Sequence, residues 1–450
     1  MTEGNIVSDA PSLTGRPGAL WAGRPPGLPA GVPPPSIPLR FLASSAFGLV
    51  ACGVALVVVR ATITRDPTAD AVVGAAHFAM LSTLTMALLG ALHQFTPVIT
   101  QRALRSLRLS RATFLTWFAA AWLLPLGFVT RKEVLVEAGG AFAATAVTLL
   151  VVNLSSALAV RSSSPAVTGL RLSVVGFVLT ACYGVVYVID RRTAWFDLRG
   201  HVVLAHACVG LFAWLGLAYV SVAQKLWPMF MLSHVPGRQR SSWVSVISLF
   251  LGTIVLSVGL LAGATAVSAL GALGVATGLT AHLYALVRSI HHRRRRADLH
   301  LVYIVASACW LVVGVTLASV GAFLARDANA HAPALIAASV AAVAGWLLVA
   351  IIGHTFKIVP FIAWSALRGR GVSATPTGTS LMFADLFNRH LSVLDFALVN
   401  AAVASLIIGI VSSRPLLVAV AGVSLVAAGL LSAAALSWRP VRLLSTTHSS

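Results

Sequence analysis

Histidine is the side chain in this sequence whose placement most suggests chemistry. Of the thirteen histidines, five lie well inside long apolar segments, namely His77, His93, His206, His282 and His354. These segments contain essentially no Asp or Glu, and the nearest exception is Asp395, at the start of a later segment. Ionisable residues inside apolar segments long enough to cross a membrane are rare and mark functional sites by default. The candidate chemistry is therefore that of the imidazole ring.

His77 and His206 lie at equivalent depths in two of these segments, near the side of the membrane that we predict to be the outer side. His77 lies about six residues, or ~9 Å of helix, from the start of its segment, and His206 about five residues from the start of its own. Counted back from Pro97 and Pro228, at the other end, they lie 20 and 22 residues away. Two neutral imidazoles at one depth on two helices suit axial ligation of heme iron. We predict a b-type heme bound by His77 and His206; the alternative is two packing histidines that bond to carbonyl groups.

The other three histidines, His93, His282 and His354, lie near the inner surface. They are candidates for a second metal or heme site. We favour the simpler interpretation, in which each imidazole reaches from an apolar helix toward the lipid headgroups.

The elements that carry these residues are long apolar segments. Of the 450 residues, 58% are hydrophobic and 10% charged, and the mean hydropathy is +0.91. A soluble domain carries about 25% charged residues, whereas ~20 apolar residues in a row cross the ~30 Å hydrocarbon core of a bilayer as a helix. We therefore predict an all-α polytopic membrane protein. Its twelve predicted spans are residues 41–59, 71–95, 112–130, 138–160, 169–189, 201–224, 242–262, 265–288, 301–325, 333–355, 394–412 and 415–437.

The positive charge of the chain follows membrane topology. A net charge of +20 would suggest nucleic acid in a soluble protein. With the N-terminus inside, however, 23 of the 32 Lys and Arg residues fall on the inner side, as the positive-inside rule requires. We therefore expect the lipid bilayer as partner and no nucleic acid. We place both termini in the cytoplasm and the spans in a bacterial inner membrane.

The chain divides into one membrane domain and two short tails. Residues 1–40 are rich in Pro and Gly and lack the apolar core of a signal peptide, which predicts a disordered cytoplasmic tail. The membrane domain covers residues 41–437, and residues 438–450 form a second cytoplasmic tail. The four cysteines lie in apolar segments without a CxxC pair, so neither a disulfide framework nor a thiolate metal site is indicated.

A motif recurs at the inner ends of the second, sixth and tenth predicted helices. In each, a proline (Pro97, Pro228 or Pro360) follows a small residue by seven positions and a long polar residue by three. The prolines are 131 and 132 residues apart, and this regular spacing indicates an internal repeat. We predict three pseudo-equivalent four-helix units, in which each proline closes its helix. The units cover residues 41–160, 169–288 and 301–437.

Three stretches of the sequence resemble heme-copper oxidase subunit I and similar bacterial proteins. They are the second predicted helix from His77 to Val98, the sixth from His206 to Phe230, and the exit of the tenth at Lys357–Trp364 with the following loop at Met382–Phe387. The resemblance spans residues 40–437 approximately. It implies twelve helices in three arcs and a heme ligand at His77. It also implies a membrane heme protein that handles or senses electrons, nitric oxide or oxygen, with a redox partner or respiratory-complex subunits as partners.

The heme propionates of such a protein are expected to point outward. Arg414 is the only charged residue in the short loop between the last two predicted helices. Because arginine pairs well with carboxylates, we predict that Arg414 contributes to the cofactor site.

The sequence departs from the catalytic oxidases at their metal ligands. Where their tenth helix has two histidines near the outer face, this chain has Ala338, Ser339 and Val340. The stretch Ser257–Gly271 contains no histidine for a copper ion, and the sixth helix has no buried Glu. We therefore expect no copper and no proton-pumping oxygen reduction, and whether the protein is an enzyme stays open.

Two other functions are compatible with the sequence. One is a transporter or channel without a cofactor, and the other is an assembly partner within a respiratory complex. The lack of buried carboxylates disfavours ordinary proton-coupled transport but is compatible with facilitated transport. Stoichiometric heme absorbance would distinguish the heme protein from both.

Overall fold

The computed structural model describes residues 33–161, 164–195, 201–235, 237–324, 333–369, 371–375 and 378–446. Within them, twelve helices are long and apolar enough to cross a membrane. These are α1 (Ser36–Val59), α2 (Asp70–Thr100), α3 (Leu107–Thr130), α4 (Glu133–Leu158), α5 (Pro165–Thr193), α6 (Val203–Met231), α7 (Gln239–Leu261), α8 (Thr265–His291), α9 (Leu299–Ala322), α10 (Pro333–Arg368), α11 (Arg389–Val411) and α12 (Pro415–Ser437). The described chain forms no strand and has only one isolated bridge, between Ala374 and Ser380. The protein is therefore all-α and polytopic, as predicted.

Each described helix overlaps its predicted span, although α1, α3, α4 and α11 begin five residues earlier than predicted. The sequence predicts that α2, α6 and α10 end at their prolines, but the helices continue through Pro97, Pro228 and Pro360 and end at Thr100, Met231 and Arg368. That prediction is wrong because a proline removes one backbone hydrogen bond, which a membrane helix tolerates where its neighbours pack around it. α2 and α6 end instead at Gln101 and Leu232, which have left-handed φ angles of 56° and 50°.

The predicted tails are partly helical. Helix begins at Ser36, inside the predicted N-terminal tail, and the last helix runs on to Thr446, inside the predicted C-terminal tail. The predictions for residues 1–32 and 447–450 lie outside the described residues.

α2, α6 and α10 each contain an eight-residue π-helical stretch. The stretches are Phe78–Thr85, Val209–Gly216 and Ala341–Leu348, and their starts are 131 and 132 residues apart, like the prolines. Long π-helical turns are rare and often lie at functional sites. Their recurrence in one register supports three equivalent units.

The first two helices of each unit cross at a corresponding outer position. A Cβ on Gly48 of α1 would lie 2.1 Å from the carbonyl oxygen of Ser82 on α2, and a Cβ on Gly176 of α5 would lie 2.3 Å from that of Ala213 on α6. In the third unit the small residue is on the second helix, where a Cβ on Gly345 would lie 2.5 Å from Cβ of Trp310 on α9. All three crossings therefore require a glycine, although not on the same helix.

A second crossing lies about two helical turns further in and follows the same register. Its pairs are Gly90 with Phe41, Gly169 with Ser221, and Gly353 with Tyr303. Because both crossings recur with matching offsets along the chain, the repeat extends from the sequence motif to the packing of the helices.

α2, α6 and α10 form the centre of the molecule. In these three helices at least 61% of the most apolar stretch is buried inside the protein, against at most 44% in the other nine spans. α12 packs against α1, where Gly53 and Gly422 bring the two backbones together, so the last unit adjoins the first. The central helices therefore position the candidate site.

Candidate functional site

The rings of His77 and His206 stack on each other near the N-terminal ends of α2 and α6, which we predict to be the outer ends. Their centroids are 6.4 Å apart and their planes differ by 19°. His77 immediately precedes the π-helical stretch of α2, and His206 lies just before that of α6. The structure therefore brings together the two residues that the sequence places at one depth.

Each ring is oriented through its other contacts. Nδ1 of His77 lies 2.8 Å from the carbonyl oxygen of Val73. It donates there in the neutral imidazole, which leaves Nε2 with a free lone pair. Nδ1 of His206 is buried and has no hydrogen-bond partner among the described residues. Both rings can therefore present a lone pair to a metal.

The separation of the rings fits axial ligation of heme iron. With iron–nitrogen bonds of ~2 Å, two imidazole centroids on opposite sides of an iron lie ~6 Å apart. Gly184 leaves space beside His206, because a Cβ at that position would lie 3.5 Å from Cε1 of the ring. The distance between the two rings therefore agrees with axial ligation, whereas their stacked arrangement would require the rings to turn, because the lone pair of an imidazole nitrogen lies in the plane of the ring.

The surroundings of the histidine pair include an apolar cavity beside α2 and exposed side chains on α5 and α6. The apolar cavity of about 230 Å³ near α2 is lined by Ala75, Ala76, Ala79 and Met80, but neither histidine lines it. By contrast, side chains on α5 and α6 near the histidine pair are exposed, among them Val186, Ile189, Val203 and Leu204.

Phe128 contacts His77, and Arg191 in turn contacts Phe128. The ring of Phe128 stacks on His77 with centroids 5.3 Å apart, and the guanidinium of Arg191 lies 5.3 Å from the centroid of Phe128. Arg191 bonds to Asp70 at 2.9 and 3.1 Å and to Glu133 at 2.5 and 3.2 Å. The outer surface above the site is therefore cross-linked between α2, α4 and α5.

The sequence analysis missed Phe128 and Arg191. No local pattern relates Phe128 to His77, 51 residues earlier, or Arg191 to either residue. Arg414, which the sequence proposes for the propionates, is exposed in the turn between α11 and α12. Arg191, through Phe128, is the arginine that lies next to the pair.

The three inner histidines do not form one site. His282 and His354 both contact Tyr219 edge-on, with centroids 5.6 and 5.7 Å away, whereas His93 stacks on Phe41 at 5.1 Å. In the described part of the chain, no three His, Cys, Asp or Glu side chains are placed to hold one metal ion. The structure also does not favour the interfacial interpretation, because all three rings are buried.

His300, near the start of α9, is a further buried histidine. Its ring contacts His354 edge-on at 4.8 Å and Phe230 at 5.1 Å. One helical turn beyond His354, Lys357 pairs with Asp298. The inner half of the protein thus contains an aromatic and imidazole cluster around Tyr219, which no short motif in the sequence signals.

The third unit contributes no histidine at the level of the pair. Ala338 is buried at the corresponding position of α10, and the hydroxyl of Ser339 donates to the carbonyl oxygen of Leu335 at 3.0 Å. The outer site therefore involves two of the three units.

No protein-family model matches the sequence, and no curated protein is significantly similar to it. The functional assignment therefore depends on the geometry of the residues.

Proposed function

We propose that this protein is a membrane electron-transfer protein that binds one b-type heme between His77 and His206. The observation that carries the proposal is the 6.4 Å separation of two nearly parallel imidazoles inside the membrane domain. The recurrent π-helical stretches beside both histidines support it, because such stretches often lie at functional sites.

The chain's own residues would have distinct roles at this site. His77 and His206 would each provide an axial nitrogen, and the carbonyl of Val73 keeps the ring of His77 in the tautomer that leaves Nε2 free. Heme would supply one-electron redox chemistry. Because both histidines would be used to hold the heme, the arrangement favours electron transfer over oxygen binding or reduction.

The location of the site suggests where its partner binds. We place the pair on the outer side of a bacterial inner membrane, with both termini in the cytoplasm, because most Lys and Arg residues then lie inside. A redox partner would approach the outer surface, where Asp70, Glu133 and Glu137 pair with Arg191 and Arg192. The threefold packing and the helix-2 histidine support an origin shared with heme-copper oxidase subunit I.

Absorption spectroscopy of the purified full-length protein tests the proposal. We expect a Soret band and sharp visible bands of low-spin heme, at one heme per chain by pyridine hemochrome assay. His77→Ala and His206→Ala should each abolish the low-spin spectrum, because each removes one axial ligand.

His93→Ala is the matched control. His93 lies on the same helix, is buried, and bonds through Nδ1 to the carbonyl of Leu89 at 2.7 Å, as His77 bonds to Val73. This variant should keep the wild-type spectrum. A wild-type protein without heme after expression with added heme precursor, or a His77→Ala/His206→Ala protein with full heme, would show that the proposal is wrong and would favour a cofactor-free transporter or assembly role.

A further inference from the structure

A small polar cavity lies between α6, α7 and α8 in the inner half of the protein. Its volume is about 10 Å³, which is about the space that one water molecule requires. Its lining includes Gln224 and Trp227 from α6, Ser245 from α7, and His282 and Ser289 from α8. The cavity is remote from the outer histidine pair, which lies at the opposite ends of the helices.

Three buried polar atoms of the lining have no hydrogen-bond partner among the described residues. They are Oε1 of Gln224, Nε1 of Trp227 and Oγ of Ser245, and the three side chains are at most 8% exposed. The amide nitrogen of Gln224 lies 3.4 Å from the carbonyl oxygen of Ser242, which leaves its oxygen for the cavity. Buried polar groups in proteins are nearly always bonded to protein or to ordered water.

Ser245 differs from other buried serines of these helices. The hydroxyl of Ser289 bonds to the carbonyl of Ala285 at 2.8 Å, and that of Ser221 bonds to the carbonyl of Leu217 at 2.6 Å. Both thus bond within their own helix. Ser245 has no such bond, so its hydroxyl is available to a molecule in the cavity.

The hydrogen-bonding capacity of the three atoms determines which kind of molecule can bind in the cavity. Trp227 can only donate, Gln224 presents an acceptor, and the serine hydroxyl can do either. A cation would face the indole N–H, an anion would face the amide oxygen, and an apolar group would satisfy none of the three. Water both donates and accepts, and it fits the volume.

We propose that this cavity binds one structural water molecule, which accepts from the Trp227 indole, donates to Gln224 and bonds to Ser245. The water joins α6 to α7 in the inner half of the membrane domain, where no lipid headgroup or bulk solvent reaches these atoms. It lies beside His282, whose ring is 4.7 Å from that of Trp227, and thereby extends the cluster around Tyr219.

X-ray hydroxyl-radical footprinting of the full-length protein in nanodiscs tests this site, because radicals form from bound water and oxidise adjacent side chains. The comparison is among three equally buried tryptophans, Trp227, Trp214 and Trp346, which are at most 2% exposed. We expect Trp227 to be oxidised several-fold faster than the other two. Equal rates for all three would overturn the proposal.

Variants of the lining give a second test. Gln224→Met with Ser245→Ala removes two of the three bonding atoms at little change in shape, and should reduce oxidation of Trp227 to the level of Trp346. Ser289→Ala is the control, because Ser289 lines the same cavity with its hydroxyl already bonded; it should leave the rate unchanged. A wild-type rate in the double variant would refute the water site, whatever the heme content of the protein.

Discussion

The carboxylate of Asp395 on α11 accepts a 2.7 Å hydrogen bond from the hydroxyl of Tyr303 on α9. Asp395 is fully buried and also accepts a bond from Ser432 of α12 at 3.1 Å. Tyr303 is the residue that packs against Gly353 of α10 at the inner crossing of the third unit. Tyr303 thus has two roles. Its ring forms the inner helix crossing of the third unit, and its hydroxyl donates a hydrogen bond to a buried carboxylate.

Tyr303→Phe should destabilise the protein. The ring and its contact with Gly353 are retained, but Asp395 keeps only the hydrogen bond from Ser432, and the loss of a hydrogen bond to a buried carboxyl group costs about 1–3 kcal/mol. The apparent melting temperature in detergent measures the loss. Tyr303→Phe/Asp395→Leu should recover part of it, because both partners are then apolar; a double variant less stable than the sum of the two single changes would contradict the explanation.

The outer crossing should be equally intolerant of side chains in the first and second units. Gly48→Ala and Gly176→Ala each place a Cβ against a backbone carbonyl oxygen of the facing helix, and overpacking of this kind costs about 1–3 kcal/mol. The Gly140→Ala variant is the control, since its Cβ would meet only Val188 at 3.7 Å. Thermal unfolding of the three variants should separate the first two from the third. A stable Gly176→Ala protein would argue against the close crossing.

Arg191→Gln should lower the reduction potential of the heme while changing stability little. The guanidinium lies next to Phe128, which stacks on His77, and removal of a positive charge favours the more positive ferric state. Its ion pairs are partly exposed, and such pairs contribute about 1 kcal/mol or less. Redox titration of the Soret band gives the potential. Arg192→Gln, whose pair with Glu137 is largely exposed, is the control and should shift the potential less.

Both termini should lie in the cytoplasm. The prediction follows from the even number of described spans and from the distribution of Lys and Arg. Alkaline phosphatase fused after Arg442 should be inactive, and the same enzyme inserted at Arg414, between α11 and α12, should be active. The reverse pattern would invert the topology and place the histidine pair on the cytoplasmic side.

The spans could be predicted from the sequence because each depends only on a local run of apolar residues. The inner ends of α2, α6 and α10 could not, since whether a proline ends a helix depends on the neighbours that pack around it. The pairing of His77 with His206 followed from depth and repeat register, which are properties of the sequence.

The surroundings of the pair could not be predicted in the same way. Phe128 reaches His77 from α3, and Arg191 reaches Phe128 from the outer end of α5, so both contacts depend on how separate helices pack. The burial of His300 likewise depends on Phe230 and His354 from α6 and α10. The position of each residue within its apolar segment predicts that it lies near a membrane surface. It does not predict which residues of other helices contact it.

The π-helical stretches determine the directions in which side chains project from the outer ends of the central helices. A π turn accommodates an extra residue within an α-helix. The side chains beyond it are therefore rotated about the helix axis by about 100°, the rotation of one α-helical residue. Deleting one residue from Phe78–Thr85 would swing His77 around the axis of α2 and away from His206, while Met86–Thr100 kept their neighbours. In each central helix, a single insertion or deletion in the π-helical stretch would thus rotate the side chains of the outer part about the helix axis. The side chains of the inner part would keep their directions.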